Sequence, residues 1–474
     1  MVMVGFPELP PLDVVPRKQL YLGVNLLNNL RRCWSLESDS LGIVGPPRYG
    51  KTSGVIIPSV LSWAGPVVCV STGADVLRFT GDHRRRIAAA GGGDVYVYDP
   101  LGTQRDVSGV RWSPLEGCAD PRECYYRVLA MTVMVSQGLD QERYWRHGMI
   151  VILRAYLHAA ALAGARLGQV RQWLRAQDPA EPIRILRTHP DAAVSWADDV
   201  EALGHLGRRD LGRFYALARA SLDIAADPRA AAATDGDDLD FDRFLTSSST
   251  LYVLAPSHYR DPLAPTVHCL TESLTRRAGQ LAAATGGRLD PPLLLVYDDF
   301  GYIPSIRTLP GLIPDAGVRG VVTVWAAHSL AQLRWRYSRD EVEALVTTTA
   351  AKLFYGGMSN SDDLTEISGW AGVIRDSQIA YYSAGAPAPP VFAAPAGLTG
   401  DGHTGLSRAS DGGLNMPILP PEALQHLPPF HAWLFYRSDT PLLVETRPAG
   451  FIEAYQRLAG FTPGPAPAPA PAGL

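Results

Sequence analysis

Gly45-Pro46-Pro47-Arg48-Tyr49-Gly50-Lys51-Thr52 fits the pattern G-x-x-x-x-G-K-[ST], and its reading decides how the rest of the chain is organised. Gly45 and Gly50 allow the tight turn that converges backbone N–H groups on an anion. Lys51 would reach the outer phosphates as a point charge, and the Thr52 hydroxyl would ligate magnesium. Leu41-Gly42-Ile43-Val44 in front reads as a short buried strand, and Ser53 to Trp63 behind as a helix whose N-terminus adds positive potential. Pro58 is expected to kink or end that helix. The bland alternative is a Gly/Pro surface turn ending in Lys-Thr; the strand–loop–helix setting argues against it. The expected phosphate-binding set is therefore Gly45, Pro46, Pro47, Arg48, Tyr49, Gly50, Lys51, Thr52 and Ser53.

The rest of the composition permits a large folded protein. The chain has 474 residues, 46% hydrophobic and 19% charged, which suits several domains and excludes global disorder. A net charge of −4 means that a nucleic-acid partner would need a local basic channel. Of the 43 basic residues only Lys18, Lys51 and Lys352 are lysines, so a lysine in the phosphate loop stands out against an arginine-rich background. The five cysteines (Cys33, Cys69, Cys118, Cys124 and Cys269) form no C-x-x-C pair and suit neither a zinc site nor a disulfide framework. A reducing cytoplasm is the expected compartment. No H-x-x-x-H type spacing points to zinc, no signal peptide is legible, and Met149–Ala165, the most apolar stretch, is interrupted by Arg154 and His158.

Along the chain, Val67–Val70 and Val95–Asp99 continue the strand rhythm of a parallel α/β sheet. The rhythm breaks near Pro114. Glu123–Ser136, Glu142–Ala165, Leu167–Ala176 and Asp210–Ala226 read as helices of an inserted all-α domain, and Thr234–Asp242 as an acidic linker. Strand signals resume at Thr250–Leu254, Pro292–Tyr297, Val321–Trp325, Ala351–Tyr355 and His431–Tyr436. The expected divisions are a lead-in segment (1–37), a nucleotide-binding domain in two parts (38–117 and 241–455), the all-α insertion (118–240) and a Pro/Ala-rich disordered tail (456–474). Residues 384–413 read as a mobile Gly/Ala/Pro loop.

A phosphate loop needs a partner carboxylate at the end of a buried strand, and Leu293–Tyr297 followed by Asp298-Asp299 supplies it. Asp298 would hold the metal and Asp299 would be the general base for the attacking water. The order of blocks then resembles the TraG/TraD family of type IV coupling proteins, conjugation ATPases related to FtsK-type translocases. Gly45–Thr52 stands at that family's Walker A motif. Val70-Ser71-Thr72, Val97-Tyr98-Asp99-Pro100, Trp112-Ser113-Pro114-Leu115 and Tyr144-Trp145 follow in order. Asp298-Asp299-Phe300-Gly301-Tyr302-Ile303-Pro304, Arg319-Gly320-Val321, His328-Ser329-Leu330-Ala331-Gln332-Leu333, Lys352–Gly357 and Leu419–Pro428 complete the series. The likeness covers roughly residues 20 to 450. It implies a RecA-like P-loop NTPase sheet with an inserted all-α domain. It also implies ATP and Mg2+ as ligands, a hexameric ring, and a peripheral place at the cytoplasmic face of the membrane. The partners it implies are DNA with a relaxase or a secreted protein cargo, and the membrane components of a type IV secretion system.

Departures from the family pattern bear on hydrolysis. Asp299 stands where the family has Glu, His328 where it has Gln, and Gly317-Val318 where another Arg often precedes Arg319. The resemblance would make Asp299, His328 and Arg319 the catalytic set, Arg319 acting in trans on a neighbour's nucleotide. Three functions compete: a motor driving transfer, a nucleotide-dependent docking subunit with weak or no hydrolysis, and an FtsK-like double-stranded DNA translocase. Only a proline tail follows the last strand, which disfavours the third. Arg84-Arg85-Arg86 reads as a solvated helix face or a channel-facing patch, and Arg334-Trp335-Arg336 as a helix surface with one packed Trp or a base-stacking pair. Trp145 reads as core of the helical domain.

Overall fold

The structure, a computed structural model, describes residues 15–26, 30–104, 107–136, 139–301, 309–375 and 415–460. Tyr302-Ile303-Pro304, the loop 384–413, the tail from residue 461 and the first 14 residues lie outside the described residues. In chain order the strands are β1 Tyr21–Asn25, β2 Arg32–Trp34, β3 Leu41–Val44, β4 Val67–Ser71, β5 Val95–Tyr98, β6 Thr250–Leu254 and β7 Leu293–Tyr297. They continue with β8 Val321–Ala327, β9 Ala351–Tyr355, β10 Val373–Arg375, β11 Asn415–Pro417, β12 His431–Tyr436 and β13 Leu442–Glu445. The chain divides into two compact units, one of Met1–Trp63 with Val324–Leu474 and one of Ala64–Thr323.

In the first unit β3 pairs parallel with both β8 and β9, Ile43 lying opposite Ala326 and Leu353. Every residue of β3 is buried, which is why it reads as an unbroken apolar run with no alternation. Gly42 is fixed by packing, because a Cβ there would fall 2.4 Å from the Trp325 ring. Beyond β9 the pairing turns antiparallel: β12 pairs with β9 and β13, and β1 with β13 and β2. The sheet is therefore mixed, where the strand rhythm pointed to a parallel one. β12 and β13 are joined by a short turn that only an antiparallel pair can close. β1 and β2 fall inside the lead-in segment 1–37, and β1 is wholly buried. Tyr21 on β1 packs its ring 5.4 Å from Trp34 and 6.1 Å from Tyr455. Tyr455 belongs to a helix, Glu453–Ala459, that runs on past the start expected for the tail at residue 456.

The helix after the phosphate loop also departs from expectation. Thr52–Ile56 forms a wide π turn, closed by the Ile57 N–H on the Thr52 carbonyl, and Ile57–Ser62 continues as α-helix. Pro58 does not end the helix. It sits in the first turn of the α-helical part, where its missing N–H is least needed.

In the second unit β5, β6, β4 and β7 lie side by side and all pair parallel. Between β5 and β6 come the helices Pro121–Ser136, Glu142–Leu162, Leu167–Ala176, Ala180–Thr188, Ser195–Leu203, Arg208–Ala220, Pro228–Ala232 and Phe241–Leu245. Ala180–Thr188, Ser195–Leu203 and Pro228–Ala232 were not legible, and the stretch expected as one helix to Ala226 breaks after Ala220 into a 3-10 turn. Trp145 is in the core there: its ring meets Phe214 at 5.6 Å and Tyr144 at 5.0 Å, and the Arg213 guanidinium lies 4.0 Å above it.

Arg84 fits neither reading of the arginine run. It is fully buried on the helix Asp75–Ala90. Its Nε donates to Thr250 Oγ1 at 2.7 Å, and its Nη2 donates to the Gly65 carbonyl at 2.8 Å and the Ser248 carbonyl at 3.3 Å. Burial pushes its pKa down to about 10. Arg85, by contrast, is exposed and pairs with Asp82. Arg84→Met should lower the unfolding free energy by about 3 kcal/mol, since three net hydrogen bonds are lost and the buried Gly65 carbonyl loses its donor. Arg85→Ala should change it by less than about 0.5 kcal/mol. Urea unfolding of the two variants checks both.

Candidate functional site

In the first unit the loop Gly45–Lys51 is shaped by glycines that leave no room for a side chain. A Cβ on Gly45 would fall 2.5 Å from Tyr355 Cβ, one on Gly50 2.3 Å from the Phe430 ring, and one on Gly54 2.2 Å from the Thr446 carbonyl oxygen. Gly50 also has φ 104°, a conformation L residues rarely adopt, and Arg48 before it is left-handed at φ 67°. The Gly45 N–H donates to the Ala327 carbonyl at 3.1 Å, and the Phe430 N–H donates to the Tyr49 carbonyl at 2.9 Å. Pro47 lies at the exposed bend of the loop, and Thr52 and Ser53 stand half-buried at the first helical turn.

Lys51 is buried, and its Nζ donates to the carbonyls of Gly45 at 2.7 Å and Pro46 at 3.0 Å. The same Nζ lies 3.1 Å from His328 Nδ1. An ammonium only donates, so Nδ1 is the acceptor and the neutral ring carries its proton on Nε2. The strand β8 delivers His328, whose N–H donates to Gln332 Oε1 at 3.1 Å. Ser329 caps the helix Leu330–Arg336, and the buried Asp363 accepts from the N–H groups of Leu330 and Ala331 and from Arg334. The next residue, Trp335, is 80% exposed, so the packed-Trp reading of Arg334-Trp335-Arg336 does not hold.

In the second unit the acidic pair ends β7. Asp298 is buried, its N–H donates to the Val70 carbonyl at 2.9 Å, and its carboxylate accepts from Ser71 Oγ at 3.4 Å. Asp299 is left-handed at φ 62° and accepts from Thr72 Oγ1 at 2.8 Å. Ser71 and Thr72 entered the sequence reading only within a block of the resemblance, with no role of their own. The signal for their part was the hydroxyl pair at the end of a strand, placed to meet carboxylates at the end of its neighbour. Burial first, and the Asp298 charge second, push the Cys69 thiol well up. Arg319 is not brought to the acidic pair. It pairs with Asp315 at 2.7 Å, and its neighbour Gly320 accepts from the Leu293 N–H, at the opposite end of β7.

Two family models match the chain: one described as type IV secretory system conjugative DNA transfer, over residues 16–163, and one as the TraM recognition site of TraD and TraG, over 292–429. The protein VirD4 of Rhizobium radiobacter is 21% identical over 333 residues, 68% of this chain and 46% of VirD4, so the chain spans about half the length of that relative. Among solved structures, the bacterial conjugative coupling protein TrwBΔN70 matches with a TM-score of 0.62 at 15% identity, over 87% of this chain and 85% of its own. TrwB in complex with ADP and Mg2+ matches with a TM-score of 0.62 at 14% identity, over 91% and 95%. The likeness is one of fold: a RecA-like P-loop α/β sheet with an all-α part.

Gly50→Ala tests the loop's shape. It should cost about 2–4 kcal/mol, the sum of the clash with Phe430 and the backbone strain. In a Phe430→Ala background the clash is gone and the same substitution should cost only about 1–2 kcal/mol. A double-mutant cycle by urea unfolding measures the difference.

Proposed function

We propose that this chain, which belongs to the TraG/TraD-type coupling proteins of type IV secretion, binds ATP with Mg2+ on Gly45–Ser53 and spends its hydrolysis on transfer. The cargo would be a relaxase–DNA complex or a protein, passed to a membrane secretion channel. The observation that carries this reading is the buried Lys51 ammonium, held against the carbonyls of a glycine loop too tight for side chains at Gly45 and Gly50. Such a loop concentrates donors on one point and suits a polyphosphate. The fold relative TrwB has been solved with ADP and Mg2+ and with a non-hydrolysable ATP analogue.

The residues divide the work by their chemistry. The loop N–H groups and Lys51 would hold the phosphates. Thr52 and Asp298 would hold Mg2+, which supplies charge neutralisation on the phosphate oxygens. Asp299 would accept a proton from the attacking water. His328, beside Lys51, would donate to a phosphate oxygen or that water. Arg319, paired with Asp315 at the far end of β7, would act on a neighbour's nucleotide in a ring, for which we propose a hexamer. Among the described residues no helix is long and apolar enough to cross a membrane. We place the chain peripherally, at the cytoplasmic face of the cell membrane.

A docking subunit that binds nucleotide without fast turnover is the second reading. Asp299 favours it, because a side chain one methylene shorter than Glu, tied to Thr72, is farther from a water held for in-line attack. DNA-stimulated ATPase assays separate the two. The motor reading expects turnover in the wild type, loss of binding and turnover in Lys51→Ala, and a drop of about 10²-fold or more in Asp299→Asn with nucleotide binding retained. A wild type that is silent with DNA, together with an Asp299→Glu variant that gains turnover, would establish the docking reading instead.

A further inference from the structure

We propose that a cavity between the helices Pro121–Ser136 and Arg260–Ala284 of the second unit binds a small uncharged molecule with an apolar body and one hydroxyl group, a phenol or a short alcohol. The cavity has a volume of about 180 Å³. Leu129, Ala130 and Val133 of the first helix give it an apolar wall. His268, Glu272 and Arg276 of the second, spaced four apart and so on one face, give it a polar one. Arg146, from the helix Glu142–Leu162, adds to the lining and donates to the Leu129 carbonyl at 3.2 Å. His268 is 1% exposed, and neither of its ring nitrogens meets a hydrogen-bond partner among the described residues.

Burial first, and the Arg146 charge second, push the His268 pKa down to about 4. The ring is therefore uncharged at neutral pH and carries one N–H donor and one acceptor. A buried polar group without a partner is costly, and a hydroxyl, which both donates and accepts, can meet either nitrogen. The nitrogens are shut off from solvent in the present ring position, and a turn about the side-chain bonds brings one of them to the cavity. The charges on the wall balance: Arg276 donates to Glu123 at 2.7 Å, which leaves Arg146 and Glu272, of opposite sign. A charged ligand would upset that balance. Water alone fits the cavity poorly. About six molecules would fill it, each wanting roughly two to four polar partners, and the side chains of Leu129, Ala130 and Val133 offer none. An apolar cavity of about 150 Å³ accepts benzene, so a single ring has room here. Tyr126, Glu272 and Arg276 line both this cavity and a wider groove with Arg122 and Arg319, which gives a ligand its way in.

Titration of the full chain, nitrogen-15 labelled at its 11 histidines, with phenol, toluene and benzoate at neutral pH tests this. The His268 signals are those missing from His268→Leu. Phenol should move them and should bind about 3- to 10-fold tighter than toluene, the size of one net hydrogen bond. Benzoate should bind about 10-fold or more weaker than phenol. In His268→Leu the preference for phenol over toluene should vanish. Ala130→Leu, which fills the cavity and leaves His268 in place, should lose phenol. Should Ala130→Leu fail to fold, the phenol–toluene comparison in His268→Leu decides alone. His268 signals that stay still up to saturating phenol would mean a cavity that holds only water, and would overturn the proposal. So would toluene binding as tightly as phenol, benzoate binding tightest, a preference for phenol that survives in His268→Leu, or phenol binding untouched in a folded Ala130→Leu.

Discussion

Three glycines of the phosphate loop and its helix are each pressed by a residue from the later strands of the same unit. Tyr355 stands against Gly45, Phe430 against Gly50, and the Thr446 carbonyl against Gly54. These three are themselves tied together. Tyr355 Oη and Thr446 Oγ1 lie 2.6 Å apart, and the Phe430 carbonyl accepts from the Thr446 N–H at 2.7 Å. Phe430 takes a left-handed backbone, φ 67°, to turn its N–H onto the Tyr49 carbonyl. The loop is therefore the inner surface of a small closed network, and its curvature is set by how closely β9, β12 and the residues after β13 approach. That explains why the antiparallel half of the first unit cannot be an ornament on a parallel core. Without it the glycines would have nothing to fit, and the carbonyls that hold Lys51 would not be presented on one side.

The two residues that depart from the family pattern are both engaged within their own unit. Asp299 accepts a hydrogen bond from Thr72, and His328 lies against Lys51. In the family pattern these positions carry Glu and Gln, longer or more versatile side chains. Here the Thr72 hydroxyl, directly after β4, fixes the direction of the shorter carboxylate, and Asp299 has a left-handed backbone. Asp is among the few residues that adopt such a backbone with little strain, which gives a local reason for Asp at this position. Under the proposed function, the Thr72 hydrogen bond would give Asp299 a fixed direction where it lacks the reach of Glu.

Those features also mark what could be read in advance. β3, β4, β6 and β7 are mostly apolar and wholly buried because they are covered on both faces, and such runs declare themselves. β1, β2 and β13 did not, being set among prolines, polar residues and turns. Tyr21 and Tyr455 make sense only once they meet each other. The glycine loop and the two acidic residues were legible as types at fixed spacing. Ser71 and Thr72 were not, because their part depends on which strand lies beside β7. Arg84 and Trp335 reversed expectation, the charge buried and the aromatic exposed, because one residue's place on a helix cannot be told from its neighbours in sequence.

The use of the two cation types follows the same physics. The chain has 43 basic residues, and arginines take the fixed positions: Arg84 bridges a helix to β6 and the Gly65 turn, and Arg334 locks the helix start at Leu330 to Asp363. A guanidinium offers several donors in one rigid plane, so it suits a partner set that never changes. An ammonium is compact and rotates freely, so it can pass from one acceptor to another without its stem being rebuilt. The loop is where the proposed function brings a phosphate to a buried cation, and there the chain uses one of its few lysines. The rarity of lysine thus carries physical meaning at Lys51, where a compact ammonium rests on two carbonyls of a tight loop.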